Sequence, residues 1–549
     1  MSEAPGRTGR LRAALALDRL DALLLAAFAA MSVCILAALA TRPLAMTGAE
    51  SGVVADQLQY FAWIRVAGED LVIRNVWDID PEGTSYFVHP GFLVSGLIHQ
   101  LGLSIPLSYH ILWKPVAVLV VFFGFRAYVA RLLPSRGAQA AALAIALFYI
   151  SPLAAAVDLL SIGDLDFRKE LRFLAGEAFP GVYIWGYFMT AIAVGLVPLV
   201  LLAAERGRDP EHRPPGRTAR RYLFLAALGA LIVSWLQPWQ GVALIATVVI
   251  VDFLQARAGR MSLRAVVARS GPLAVAASLP LLYYWLLERV DPAWEIAGHA
   301  NRKFELGWPP SVWLLGLLPL ALPAVLAYRL PARSWQDLAV RVLPFAMVGE
   351  YFLITVSEVG TFPFHSLQGL SLPLAILAVA GAAELRRPDW WAARARWVAV
   401  GLALLLGLGV ADRLNQIRIE VHNGGQPYLI HPGEQQAFDY LEELDRSGGV
   451  LAPIYAGLMV PYQTGRETWV GQVSWTPNYR RRVDRAEALF DGRLDRDRAA
   501  ELVARSGAGF LLADCLDRAD LSRVLRPYLT SVKRFGCASV YEVDRGALR

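Results

Sequence analysis

Apolar runs alternate with short charged tracts along roughly the first three quarters of the chain. A run of about 20 apolar residues crosses a bilayer as a helix, and this pattern predicts spans at 20–40, 107–131, 138–157, 181–204, 272–290, 311–329, 338–356, 368–385 and 396–412. The stretch 222–256 is too long for one span and is interrupted by Gln237-Pro238-Trp239-Gln240-Gly241. Arg220 and Arg221 precede it, and Arg257, Arg260 and Arg264 follow it. With basic residues at both ends, both ends belong on the cytoplasmic side, so two short helices meeting at a Pro/Gly turn are expected. The total is about 11 transmembrane helices. The first run ends in Ala38-Leu39-Ala40, which mimics a signal-peptidase site, but it exceeds the roughly 7–15 residues of a cleavable signal and reads as an uncleaved anchor.

Past residue 412 the pattern changes. Helix-like stretches at 434–446 and 494–506 alternate with strand-like ones at 449–455, 509–514 and 538–543. The expected fold is therefore an α-helical polytopic membrane protein, residues 1–412, with a long first outer loop over 43–106. A C-terminal extracytoplasmic α/β domain, residues 413–549, completes it.

Composition agrees. Apolar residues make up 56% of the chain and charged ones 18%, which excludes a wholly soluble, disordered, collagen-like or disulfide-rich protein. The formal charge of +6 does not point to nucleic acid, because the arginines crowd beside the apolar runs, where the positive-inside rule puts them. Loop 205–221 holds six arginines and reads as cytoplasmic, as does 386–396. Segment 43–90 holds seven acids against Arg65 and Arg74 and reads as outer. The N-terminus is thus expected inside the plasma membrane and the C-terminal domain outside. There, Cys515 and Cys537 could pair if the compartment is oxidising, while Cys34 reads as packing.

Candidate chemistry concentrates in the outer segments. Asp56, just past the first span, could take a proton from an acceptor hydroxyl attacking a sugar's anomeric carbon, or could cap a juxtamembrane helix. Asp78 and Asp80 could hold Mg²⁺ or Mn²⁺, or simply face solvent; no cofactor is certain. His89, ahead of Pro90, suits a loop-ordering bond better than a ligand. Arg302 and Lys303, with His299 nearby, form a cationic pair on the outer side that suits a phosphate, with Glu295 or Glu305 as the alternative partners. Lys114 and the run Arg168-Lys169-Glu170-Leu171-Arg172 are further cations. His365 and Gln368 lie at an outer boundary, and Trp239 and Gln240 in the broken pair could line a sugar or lipid cavity. Glu350 and Asp252 fall inside apolar runs, Asp252 close enough to pair with Arg257. Phosphate-loop, H-E-x-x-H and C-x-x-C motifs are absent.

An acid soon after the first span, a long amphipathic first loop, about eleven spans and a C-terminal outer domain together resemble the GT-C superfamily of integral-membrane glycosyltransferases. The strings Val88-His89-Pro90-Gly91-Phe92, Trp235-Leu236-Gln237-Pro238-Trp239-Gln240-Gly241 and His365-Ser366-Leu367-Gln368-Gly369 look like those of bacterial, substrate-unassigned members. The resemblance implies an inverting transferase that uses a polyprenyl-phosphate-linked sugar and a glycan, lipid or protein acceptor of the cell envelope. Asp56 would be the base, with Arg302, Lys303 and His365 placed for the donor phosphate. Asp56 is followed by Gln57 rather than a second acid, a departure from better-defined members. A lipid-carrier flippase or transporter, or a non-catalytic envelope scaffold, are the alternatives.

Overall fold

The computed structural model describes residues 17–548 apart from 82, 303–307, 358, 359, 385–387, 425 and 517, and the side chains of 180 and 384–400. The chain runs through α1 (Arg19–Ala40), β1 (Ala45–Met46), α2 (Val54–Asp70), α3 (Pro90–Gln100), α4 (Ile105–Leu132), α5 (Arg136–Phe148), α6 (Pro152–Leu159) and α7 (Leu165–Glu177). It continues through α8 (Phe188–Arg208), α9 (Ala219–Leu236), α10 (Pro238–Arg257), α11 (Leu263–Val290), α12 (Pro292–Arg302), α13 (Pro310–Leu326), α14 (Trp335–Ser357), α15 (Ser371–Glu384) and α16 (Pro388–Asn423).

The protein is a polytopic helical membrane protein. Among the described residues, eight helices are long and apolar enough to cross a bilayer, and the bent pair α5–α6 makes a ninth candidate. The expected count of about eleven is reached only by adding the shorter α15 and the long α16. Prolines interrupt α4, α8, α11, α13 and α14, as membrane helices tolerate where neighbours satisfy the freed carbonyls.

Two boundaries differ from the sequence pattern. The run 138–157 is not one straight span: Tyr149 turns extended, Ser151 caps α6, Pro152 opens it, and the two helices bend by 41°. The run 181–204 becomes helix only at Phe188, because the apolar residues before it form a 3₁₀ turn (Pro180–Val182) and an irregular connection. The broken pair is as expected, with Gln237 extended between α9 and α10. Asp252 does not pair with Arg257. It is fully buried against Arg208, whose Nε and Nη2 lie 2.6–2.9 Å from its oxygens, and Ser270 and Trp335 donate to the same carboxylate. A buried charge is tolerated when its lone pairs are filled this completely.

Beyond α16 come β2 (Leu429–Ile430), α17 (Pro432–Glu443), β3 (Val450–Leu451), α18 (Ile454–Thr464), α19 (Tyr479–Phe490), α20 (Arg496–Ser506), β4 (Phe510–Ala513), α21 (Ser522–Leu525), β5 (Leu529–Phe535) and β6 (Ala538–Val543). The sheet order is β3-β4-β6-β5, with β3 parallel to β4 and the other pairs antiparallel. The expected strand 449–455 is shortened to two residues because Pro453 opens α18. The segment β5, not among the strand-like stretches expected from the sequence, is one of the two edge strands, β3 being the other.

Cys515 and Cys537 are disulfide bonded and close a loop with a sequence separation of 22. Replacing Cys537 by Ser is expected to lower the stability of the C-terminal sheet by about 3 kcal/mol. Limited proteolysis of wild type and variant would show this as faster cleavage between β4 and β6.

The first loop and the C-terminal region are stitched together. β1 pairs antiparallel with β2, Thr47 N donates to Tyr428 O at 3.0 Å, and the Tyr428 hydroxyl reaches Ser51 O at 2.9 Å. Asp56 therefore sits at the same end of the bundle as the sheet.

Candidate functional site

Helix α2 opens with no side-chain cap at Val53, and Asp56 lies in its first turn. The capping reading is thus not what the fold uses. The carboxylate instead accepts from the Tyr187 hydroxyl at 3.1 Å and from Gln472 Nε2 at 3.4 Å. Tyr187 ends the connection before α8, and Gln472 belongs to the loop between α18 and α19. Three segments far apart in sequence thus meet at one carboxylate.

The position of α2 is set by Gln57. Its Oε1 accepts from the backbone N–H groups of Glu50 and Ser51 at 2.8 and 3.0 Å. Gly186, at φ +91°, permits this: a Cβ there would lie 2.4 Å from Gln57 Oε1. Close approach by a glycine with positive φ lets the next residue, Tyr187, reach Asp56.

Opposite stands a second group. His365, on the 3₁₀ turn Pro363–Leu367 that follows a left-handed Phe362, lies with Nδ1 3.1 Å from Glu177 Oε2. Gln368 Nε2 reaches the same Glu177 oxygen at 2.9 Å, and Gln237 donates to Gln368. The Trp239 ring packs edge-on to His365 at 4.8 Å while its indole N–H holds Thr361 O, and Gln240 Nε2 is 3.4 Å from His365 O. The break between α9 and α10 is thus a buttress for His365. His365 and Glu177 act electrostatically on Asp56, so the two groups share one field.

Asp56, Tyr60, Tyr187, Glu177 and His365 each keep partial exposure, while Gln57, Leu58, Gln59, Phe61 and Ala62 are buried. The ionisable groups face accessible space and their neighbours form the support. Burial pushes the Asp56 carboxyl above the usual carboxylate range, and Glu177 adds to the rise; Tyr187, His365 and Gln472 partly offset it.

The other sequence candidates lie elsewhere. Lys114 is buried and committed to Glu50, with Nζ 2.6 and 2.8 Å from its oxygens and 2.5 Å from Ser32 O, so its charge is already matched. Arg302 pairs with Glu288 at 2.5 Å rather than with Glu295, and His299 is exposed on α12. Lys303 and Glu305 lie outside the described residues. His89 is buried and stacks on Phe92 with ring centroids 4.2 Å apart, at the start of α3. Burial pushes its imidazole down to about 3, so it is neutral at physiological pH and part of the support. Asp78 pairs with Arg482 at 2.6 Å, and Asp80 adopts φ +53° with its N–H donating to Glu467 at 2.9 Å. A carboxylate facing a guanidinium is not a free metal ligand, and among the described residues no three His, Cys, Asp or Glu side chains converge as a metal site would need. The Asp78–Asp80 pair does not fit Mg²⁺ or Mn²⁺.

Glu177, Tyr187 and Gln472 escaped the sequence reading. Glu177 sits only four residues ahead of the expected start of a span, the one hint available; the other two sit in segments with no motif.

No family model matches the chain, and no curated protein matches it. Among solved structures it is similar to the archaeal oligosaccharyltransferase AglB from Archaeoglobus fulgidus, in complex with an inhibitory peptide and a dolichol-phosphate. That match has 13% identity and a TM-score of 0.49, covering 93% of this chain and 72% of that one. It is also similar to ArnT from Cupriavidus metallidurans bound to undecaprenyl phosphate, at 15% identity and a TM-score of 0.49, covering 98% of each chain.

Proposed function

We propose that the protein is an inverting membrane glycosyltransferase that moves a sugar from a polyprenyl-phosphate donor to an acceptor outside the cytoplasmic membrane. The observation that carries this reading is the meeting of the partly exposed Asp56, Tyr187, Glu177 and His365 on one end of the bundle, with the buried Gln472 behind Asp56. In the proposed step the acceptor oxygen bonds to the anomeric carbon as Asp56 takes its proton. The bond from that carbon to the carrier phosphate breaks, and the electron pair leaves with the phosphate. A phosphate leaves as an anion and needs little protonation, so a base and nearby positive charge suffice. Tyr187 and Gln472 would fix the Asp56 rotamer, and Glu177 would hold the His365 ring toward the leaving group.

Two features support an outer location. The Cys515–Cys537 disulfide suits an oxidising compartment, and the domain that carries it also supplies Gln472. The acid–arginine cluster of Asp18, Asp21, Arg126 and Arg136 lies at the other end of α1, where the positive-inside rule puts arginines.

The direct test is incubation of the purified full chain with undecaprenyl-phosphate sugars and a cell-envelope extract, with free undecaprenyl phosphate followed by mass spectrometry. Release dependent on both donor and acceptor is expected; none from any donor would sink the proposal. The pH profile gives a second check. A base works only when deprotonated, so activity should fall as pH drops through the raised Asp56 pKa. Tyr187→Phe removes a bond that favours the charged form, so the acidic limb of kcat/KM is expected to move to higher pH. An unmoved limb would separate Tyr187 from the base.

A further inference from the structure

The end of the bundle away from Asp56 carries a rim of arginines that the chemistry above leaves idle. The break at Gln237 stands beside the Gln368–His365 pair, so the start of α9 and the end of α10 lie a helix length away, about 30 Å for the 20 residues of α10. Arg220 and Arg221 open α9 and Arg257 closes α10, while Arg260 lies in the turn that follows and Arg264 in the first turn of α11. All five are exposed, and among the described residues none of their guanidinium groups has an ion pair or a hydrogen bond. We infer that this rim, independently of any transferase chemistry, binds the headgroup of a phospholipid with two phosphates, in the leaflet opposite the candidate site.

Few acids answer these cations. Between Glu211 and Glu288 the chain holds eight arginines and a single acid, Asp252, and Asp252 is buried against Arg208. On the neighbouring segments Glu205 pairs with Arg131, Asp209 with His212, and Asp337 accepts from the N–H groups of Arg333 and Ser334. Crowded like charges repel, and a bound anion removes that cost. A planar guanidinium with free N–H groups is also the side chain that grips phosphate oxygens in pairs.

The rim is held in a fixed frame. Arg208 Nη2 reaches Asp252 at 2.6 Å and the Arg269 carbonyl at 3.2 Å, and Ser270 donates to the same carboxylate, which ties α8, α10 and α11 together just behind the arginines. The turn from α10 to α11 closes through Ala258 N–H to Leu254 O and Arg260 N–H to Gln255 O, each at 3.0 Å, and Ser262 caps α11. Arg257, Arg260 and Arg264 thus project from one short ordered turn. The Ser234 hydroxyl donates to Ala277 O at 2.6 Å, at nearly equal distances from the starts of α9 and α11, so the two starts are level and Arg220 and Arg221 join the same rim.

The surroundings favour a lipid over a soluble anion. Phe224 on α9, Phe253 on α10, and Leu263 and Val267 on α11 are exposed, each within four residues of one of the arginines. A cation beside an apolar flank suits the boundary between headgroups and acyl chains, with its charge kept in the headgroup layer. The arginines also fall into two groups, one at the start of α9 and one around the turn between α10 and α11, which matches a headgroup that bridges two phosphates. Such a lipid would clasp the free ends of the α9–α10 pair, whose opposite end supports His365.

The test is lipid binding to the purified full chain, delipidated in neutral detergent and followed by native mass spectrometry. Tetraoleoyl cardiolipin is expected to bind at least about tenfold tighter than dioleoylphosphatidylglycerol or dioleoylphosphatidylcholine. Arg220→Gln/Arg221→Gln and Arg257→Gln/Arg260→Gln/Arg264→Gln are each expected to weaken it about tenfold or more. Arg480→Gln/Arg481→Gln, at exposed positions on α19, is expected to leave binding unchanged. Equal binding of either other lipid overturns the inference, as does unchanged cardiolipin binding by either rim variant or an equal loss in the α19 variant. The deacylated cardiolipin headgroup is the soluble probe; if it binds as tightly as the lipid, the rim is a site for a soluble anion, which also overturns the inference. Should the rim variants fail to fold, a diazirine analogue of cardiolipin is photolysed on the unmodified protein. Labelling of the peptides around 220–225 or 253–267 is expected, and labelling confined to other peptides overturns the assignment.

Discussion

Asp56→Asn is expected to reduce sugar transfer by about 10²-fold or more, the usual contribution of a positioned general base. The asparagine side chain has the same shape and can still accept from the Tyr187 hydroxyl, so the local geometry should persist. Its effect on stability should run the other way. The folded state raises the Asp56 pKa above the carboxylate's ordinary 3.8, so folding binds the proton more tightly than the unfolded chain does. That contribution is fully present below the ordinary pKa and is lost as pH rises through the raised value. At neutral pH the ionised carboxylate therefore costs stability, and its amide replacement removes that cost. The expected result is an inactive variant whose Tm is equal to or above wild type at pH 8, with the difference shrinking at pH 5. Full transfer by the variant would remove Asp56 from the chemistry; a large fall in Tm would make the carboxylate structural instead.

Lys114→Met is expected to be the most destabilising single change in the membrane region, by about 3–5 kcal/mol. The substitution keeps an apolar stem of similar length but leaves the Glu50 carboxylate, which has no exposure, without its cation. The same ammonium also holds Ser32 O of α1, so α1, α4 and the loop that carries α2 are joined at this point. The double variant Glu50→Gln/Lys114→Met should recover most of the loss, because the cost lies in stranding one buried charge rather than in lacking the pair. Thermal unfolding of the three variants in the same detergent measures this. Equal stability of Lys114→Met and wild type would contradict the pairing and return Lys114 to the list of free cations.

These two residues, and their neighbours in sequence, mark what a linear reading can and cannot reach. Hydropathy placed nearly every long helix, including the break at Gln237-Pro238, because the bilayer requires a run of apolar residues regardless of what packs beside it. The boundaries failed where a place in an apolar run did not mean helix: residues 181–187 lie inside the expected span, yet they form the connection that delivers Tyr187, with Gly186 at φ +91°. Asp56, His365 and Gln368 were legible as polar residues at membrane boundaries. Their association with Glu177 and Gln472 was not, since those partners lie 121 and 416 positions from Asp56, and nothing in a sequence records which distant loops meet.

The charged residues divide the same way. The hydropathy pattern placed the arginines of the membrane region mostly beside the spans, because a charge within lipid is expensive wherever it occurs. Which acid each one meets was decided by packing. Asp252 bypasses Arg257 for Arg208, Arg302 meets Glu288, Asp78 meets Arg482, and Lys114 meets Glu50. The apolar pattern determined that this chain enters the membrane and roughly where, since burial of apolar surface is a property of each segment by itself. The tertiary structure decided which charges are spent on one another and which remain available, because Coulomb attraction and desolvation depend on distance in space and not along the chain.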